Sequence, residues 1–329
     1  MKCFYDLLVY RVDRFLDAHF LKRFEPAVRP KLVRLAELRG ETPKEVVRRF
    51  RKKKIRRIPP SILKHTHILL AAKFVEAGER EGVPFVRLEN GRIFYGHPSR
   101  KQHEREFAFL ADKLSPCLTP WTYLTAKDVA IRYLHDKWYP EKYLPGPGGT
   151  IVEVGAYVGH KTMRFVDQHV TTSGKVLAIE VMPENIPILK RNIADNGMQA
   201  CIDVMHCGVW REPGRLAVKG MGRQRNSLVS IDHLDRENEA VVPTDTLDNI
   251  LVKWDQPKVD FMIITVNGAE IEVLQDLDKQ LHRIKVLYIA AHFKRDGKPT
   301  RDICLDMLRK KGCKILNEGQ DAGIYAQCS

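Results

Sequence analysis

The chain has 329 residues, 44% hydrophobic and 29% charged, with a formal net charge of +14, a composition ordinary for a soluble globular protein with a sizeable core. No run approaches the roughly 18 apolar residues that span a bilayer, and "MKCFYDLLVYRVDRF" carries charges where a secretory leader needs an unbroken apolar stretch. Residues 1–150 hold 31 Lys+Arg against 17 Asp+Glu while the remainder is balanced at 24 of each, so two regions with different roles are expected.

In chain order, "YDLLVYRVDRFLDAHFLKRF" has the mixed three- and four-residue apolar spacing of an amphipathic helix. A second helix is predicted from Thr42 as N-cap, Pro43 at the first helical position and Glu45 closing a T-x-x-E box. It runs through "EVVRRFRKKKIRR" and stops before Pro59 and Pro60. "SILKHTHILLAAKFVEAGE" reads as a third, apolar helix. In "VPFVRLENGRIFYG" two strand-like runs flank Asn90-Gly91, a hairpin signal near 84–96. A polar stretch over 97–107 and a helix around "AKDVAIRYLHDKW" lead to the breaker cluster "LPGPGG". The expected organisation is a basic, mostly helical region at 1–139 and an α/β domain at 140–329.

From residue 150 strands are predicted at 150–155, 175–181, 201–206, 259–266, 285–292, 313–317 and 322–327, with helices at 159–170, 183–196, 268–280 and 299–311. Such alternation argues for a sheet covered on both faces. The first strand enters Glu153-Val-Gly155-Ala-Tyr157-Val-Gly159, an E-x-G-x-x-x-G turn. The dinucleotide fingerprint G-x-G-x-x-G needs glycine where Tyr157 stands, so NAD and FAD are disfavoured. The second strand ends in Glu180, an acid suited to a ribose diol, and the helix after the turn offers free N–H groups to a carboxylate. Ribose, base and carboxylate without diphosphate describe S-adenosylmethionine.

The chain resembles the FkbM-type methyltransferases of the class I, Rossmann-like group. Four stretches carry the resemblance: "IVEVGAYVGHKTM", "VLAIEVMPENIPILKRNIADNGM", "VPTDTLDNIL" and "VDFMIITVNGAEIEVLQDL". It implies a mostly parallel seven-stranded sheet and a cofactor site of Glu153, Gly155, Tyr157, Gly159 and Glu180. Asn185 would support the second crossover helix, and Asp203 or His206 would lie near the adenine. It also implies methylation of oxygen on a small-molecule, sugar or peptide acceptor. The family's fourth strand ends lysine-isoleucine-aspartate-valine-glutamate-glycine, whereas here it reads Ile263-Ile264-Thr265-Val266-Asn267-Gly268. The two acids and the lysine are gone, which argues against a divalent-metal mechanism.

Methyl transfer needs chiefly an in-line approach, with a base assisting a hydroxyl acceptor. Candidates are His292, Glu270 and His160, with Asn267 orienting the acceptor. "RRFRKKKIRR", eight basic residues in ten, leaves three readings open over 44–57: an RNA contact, an anionic membrane surface, or a solvated face. An RNA-directed methyltransferase and a non-catalytic binding or scaffold protein are therefore the rival functions. Seven cysteines without framework spacing point to a reducing, cytoplasmic compartment, with peripheral membrane association as the alternative; Cys201 and Cys207 are too far apart for a CxxC metal clip.

Overall fold

The computed structural model describes residues 43–52, 60–135, 139–219, 227–229, 239–317 and 323–328, with 33, 36–37 and 40–41. The chain divides into two compact units, 1–135 and 136–329. Among the described residues no helix is long and apolar enough to cross a membrane. The N-terminal amphipathic segment, Thr42 and residues 53–57 of the basic run lie outside the described residues.

In the first unit helix α1 (Pro43–Lys52) begins on the proline whose fixed φ suits a first turn, and α2 (Pro60–Ala71) follows. The apolar pattern predicts helix through residue 79, but the helix stops at Ala71 and β1 (Phe74–Arg80) begins. The reason is the next turn. Glu81 (φ 54°) and Gly82 (φ 76°) form a two-residue connection of positive φ, the geometry that matches strand twist, and it folds β1 back on β2 (Val83–Leu88). β2 then pairs antiparallel with β3 (Ile93–Tyr95) around Asn90-Gly91. A polar stretch hides a further helix, α3 (Lys101–Leu110). Its buried face includes Glu106, whose charge is met by Lys127 at 2.5 Å. Lys127 stands on α4 (Tyr123–Val129), which continues as a π-helical turn over Ala130–Leu134. A carboxylate turned inward disguises an amphipathic pattern.

The second unit is built on seven strands: β4 (Thr150–Val154), β5 (Lys175–Glu180), β6 (Ile202–His206), β11 (Val259–Ile264), β12 (Ile284–Ala290), β15 (Lys314–Asn317) and β16 (Gly323–Gln327). Their order is β15-β16-β12-β11-β4-β5-β6. All run parallel except β16, which is antiparallel to both β12 and β15. This is the mostly parallel, Rossmann-like sheet that the sequence implies. Its inner strands are mostly buried apolar runs, such as "VDFMII", as a sheet covered on both faces requires, while the edge strand β6 is only partly buried. Helices α5 (His160–Phe165, continuing π-wound over Val166–Val170), α6 (Asn185–Asp195), α7 (Leu247–Trp254), α8 (Glu270–Gln275) and α9 (Thr300–Lys310) connect them.

Between β6 and α7 the chain adds a small sheet of four short strands, β7 (Gly208–Val209), β8 (Gly214–Lys219), β9 (Ser227–Val229) and β10 (Glu239–Asp245), in the order β7-β10-β8-β9. Thr246 caps α7 by accepting the Asn249 N–H at 3.2 Å.

The cysteines add a link that their spacing did not announce. Cys313 and Cys328 form a disulfide, their Cα atoms 4.4 Å apart. Spacing could not reveal the pair because strand register creates it: Lys314 lies opposite Gln327, so the residues just outside face each other.

Candidate functional site

The chain order along the sheet reverses between β4 and β11, since β5 and β6 lie on one side of β4 while β11 and β12 lie on the other. In open α/β sheets that switch point, at the carboxyl ends of the strands, is where a crevice forms. Two turns meet there. After β4 come Gly155 (φ 91°), Tyr157 (φ 57°) and Gly159 (φ 84°); after β11 come Asn267 (φ 52°) and Gly268 (φ 107°). The Thr265 N–H donates to the Val154 carbonyl at 2.9 Å. A Cβ on Gly155 would collide with the Thr265 carbonyl oxygen, and one on Gly159 with the Leu189 side chain. The glycines thus let the first crossover press against its neighbours.

Glu180, at the tip of β5, ties the glycine turn to the second crossover. Its Oε2 accepts the Tyr157 N–H at 2.7 Å; its Oε1 accepts the Met182 N–H at 2.8 Å and Asn185 Nδ2 at 3.1 Å. Burial raises the Glu180 pKa, against the opposing pull of hydrogen bonds from the Met182 and Tyr157 backbone, the Asn185 side chain and the Val181 backbone. Asn192, seven residues along α6 from Asn185, donates to the Val158 carbonyl at 2.8 Å. One helix face therefore braces both the carboxylate and the turn.

Beneath the turn lies a group that the sequence pattern did not single out. Lys161 is 8% exposed and meets Glu153, wholly buried in β4, at 3.0 Å. It also donates to the Tyr139 hydroxyl at 3.2 Å, and Thr162 Oγ1 donates to Glu153 Oε2 at 2.6 Å. Burial disfavours the ammonium, but Glu153 and then Tyr139 outweigh it and raise the Lys161 pKa. Tyr139 packs edge-on against Phe261 and Tyr288 at centroid distances of 5.4 and 5.0 Å. Glu153 thus anchors the first turn of α5 from below.

The other expected residues separate into two groups. His206 lies opposite Glu180 in the β5–β6 register, exposed, with Nε2 3.2 Å from the Val181 carbonyl oxygen. His292 is exposed two residues past β12, and Asn267 stands in the β11 turn. These share the carboxyl edge with Tyr157 and Glu180. Asp203 does not: it sits three residues back from the β6 tip and accepts the Trp254 indole N–H at 2.8 Å, so it anchors α7. His160 is buried at the first position of α5. Glu270 is wholly buried; its Oε1 accepts the Gly268 N–H at 2.9 Å, Oε2 has no hydrogen-bond partner, and burial raises its pKa.

The Asn267–Gly268 turn is also held from the far side. After β12, Asp296 (φ 51°) and Gly297 (φ 78°) turn a small hairpin, β13 (Lys294–Arg295) with β14 (Lys298–Pro299). Arg295 donates to the Gly268 carbonyl at 2.9 Å and grips Glu272 through both terminal nitrogens, at 2.7 and 3.3 Å. Four loops thus line one edge in the order of their strands.

Residues 153–314 match the family model of the methyltransferase FkbM domain. No curated protein matches the chain. Among solved structures it is similar to methyltransferase FkbM from Methylobacillus flagellatus KT, at 13% identity and a TM-score of 0.39, covering 70% of this chain and 56% of that one. The chain thus spans little more than half the length of that relative. Fibrillarin from Aeropyrum pernix, solved with S-adenosyl-L-methionine, matches at 12% identity and a TM-score of 0.36 over 78% of this chain and 99% of its own. TrmK from M. capricolum, solved with S-adenosyl-homocysteine, matches at 11% and 0.34 over 58% and 69%.

Proposed function

We propose, from the match of residues 153–314 to the methyltransferase FkbM domain, that the protein transfers a methyl group from S-adenosylmethionine to an oxygen of a small-molecule, sugar or peptide acceptor. The observation that carries the site assignment is Glu180. A buried carboxylate at the second strand tip, bonded to the glycine turn and to the start of the next crossover, suits a ribose hydroxyl.

When bound, S-adenosylmethionine supplies a methyl group activated by its positively charged sulfonium. The chain's task is then alignment, an effect worth up to roughly 7–11 kcal/mol. Gly155, Tyr157 and Gly159 form the floor of the site, with Lys161 and Glu153 fixing the helix start beneath it. His206, beside Glu180, flanks the base. On the other side of the switch point Asn267 hydrogen-bonds the acceptor hydroxyl, and His292 takes its proton. Histidine suits that step because its ordinary pKa lies near neutrality. Glu270, wholly buried, acts through the Gly268 turn it holds and is a positioning residue.

Calorimetric titration with S-adenosylmethionine and S-adenosylhomocysteine tests the assignment, using wild type and Glu180→Gln. The carboxamide turns an NH2 toward the Tyr157 N–H, so the tie to the turn is lost with the charge. Losing one hydrogen bond to a charged acceptor, about 1.5–3 kcal/mol, weakens binding by roughly 10- to 150-fold. Wild type that binds neither compound, or Glu180→Gln that binds as wild type does, refutes the site.

A further inference from the structure

Phe293 is an apolar side chain placed where the polar loops of the sheet's carboxyl edge meet. It follows His292 directly past β12 and is 39% exposed. Among the described residues the other exposed large apolar side chains stand elsewhere: Val241 in the small sheet, Val252 on α7, and Val75 and Trp121 in the first unit. Single exposed apolar residues are ordinary on a protein surface, so exposure alone gives Phe293 no role. What distinguishes it is how firmly it is held. Its N–H donates to Thr300 Oγ1 at 3.3 Å, and its carbonyl accepts from the Thr300 N–H at 2.9 Å and from the Thr300 hydroxyl at 3.2 Å. The ring lies against the Asn267–Gly268 turn, where a Cβ on Gly268 would meet Phe293 Cγ at 3.8 Å.

The support under the ring is fixed as well, by Glu270 on the Gly268 N–H and Arg295 on the Gly268 carbonyl. A flat apolar ring with its backbone and its support both locked is a preorganised platform. The polar side chains that lock it are engaged within the protein: Arg295 grips Glu272, Glu270 holds Gly268, and Thr300 holds Phe293. An acceptor carrying hydroxyls all round its ring would find these groups occupied, whereas an aromatic ring needs none of them and gains by stacking. Proton chemistry favours the same acceptor. A phenol has an ordinary pKa of about 10, against about 15.7 for water, so a histidine takes a proton far more readily from a phenol than from a water-like aliphatic hydroxyl.

We propose that Phe293 is the residue that selects the acceptor, and that the acceptor is a phenol, a flat aromatic ring that stacks on Phe293 with its hydroxyl toward His292 and Asn267. The inference rests on the methyl-transfer reading of this edge given above. The phenol oxygen takes the methyl carbon, the electron pair of the broken carbon–sulfur bond stays on sulfur, and the phenol proton goes to His292.

The test is the affinity of β-naphthol for the full chain saturated with S-adenosylhomocysteine, measured by saturation-transfer NMR. Methyl glucoside and N-acetylserinamide serve as the sugar and open-chain probes. Wild type should bind β-naphthol at least about tenfold more tightly than either, equivalent to about 1.4 kcal/mol. Phe293→Tyr keeps the ring and should match wild type. Phe293→Ala should weaken β-naphthol at least about tenfold with S-adenosylhomocysteine still bound, and Phe293→Leu, apolar but without a flat face, should recover only part of that loss. Equal affinity in the Ala variant, full recovery in the Leu variant, or a wild type that favours either of the other probes or binds none of the three overturns the proposal while S-adenosylhomocysteine binding stands. Wild type that binds no S-adenosylhomocysteine removes the cofactor reading and this inference with it.

Discussion

Lys161→Met isolates what the buried pair under the glycine turn contributes. Methionine matches the length of the lysine stem and fits an apolar site, so the change removes the charge with little loss of volume. It leaves Glu153, with no solvent exposure, holding only the Thr162 hydroxyl at 2.6 Å in place of an ammonium at 3.0 Å. Breaking a buried pair from one side costs about 3–5 kcal/mol, because the remaining charge is stranded. Glu153→Gln in the same background removes that charge, and the carboxamide oxygen still accepts from Thr162. The double variant should therefore regain about 2 kcal/mol or more of the loss. Urea denaturation followed by circular dichroism reads this out, through the transition of the 136–329 unit. A single variant costing less than about 1 kcal/mol, or a double variant no more stable than the single one, would refute the view that a stranded carboxylate is the main cost.

Gly155→Ala drives a methyl group into the Thr265 carbonyl at a φ of 91°, so it should both destabilise the unit and weaken S-adenosylhomocysteine binding at least about tenfold; wild-type affinity would show that the turn can open. Glu270 has a folded pKa raised from 4.5 by burial, so above 4.5 the folded state holds its proton more tightly than the unfolded state and stability falls as pH rises through the window up to the raised value. Glu270→Gln removes that term, and its stability relative to wild type should improve between pH 4.5 and pH 8; a pH-independent difference in urea midpoints would contradict the burial cause. Reducing Cys313–Cys328, which spans 15 residues of sequence, should cost about 3 kcal/mol, and identical urea midpoints with and without dithiothreitol would count against it. His292→Gln should lower methyl transfer to hydroxyl acceptors by about a hundredfold or more with S-adenosylhomocysteine affinity unchanged, and an undiminished rate would take the proton from another group.

The large sheet was readable because burial on both faces demands near-continuous apolar runs, and "TIVEV", "KVLAIE" and "IKVLYIA" have no other ready interpretation. The small sheet escaped because "GRLAVK" and "EAVVPTD" mix charge, proline and short apolar stretches. For the site, a strand-tip acid and a glycine turn are local signals, so Glu180 and Gly155 could be named from their neighbours. Partnerships across the fold cannot be read that way. The Trp254 indole that occupies Asp203 is 51 residues away, and the Tyr139 hydroxyl that meets Lys161 is 22 residues away. Glu106 and Lys127 each look like surface residues until α3 and α4 bring them together. The left-handed backbone of Tyr157 is likewise invisible in sequence, since tyrosine gives no local reason to expect it.

The position of β16 has a consequence for how the sheet is assembled during synthesis. It is the latest strand in the sequence, yet it lies inside the sheet, between β12 and β15. Among the described residues β15, although made earlier, is hydrogen-bonded only to β16. A nascent chain that has emerged only as far as residue 322 therefore has five strands it can pair and a sixth with nowhere to go. Gly323–Gln327 complete two pairings at once, and the open edge of β12 stays exposed to other chains until they arrive.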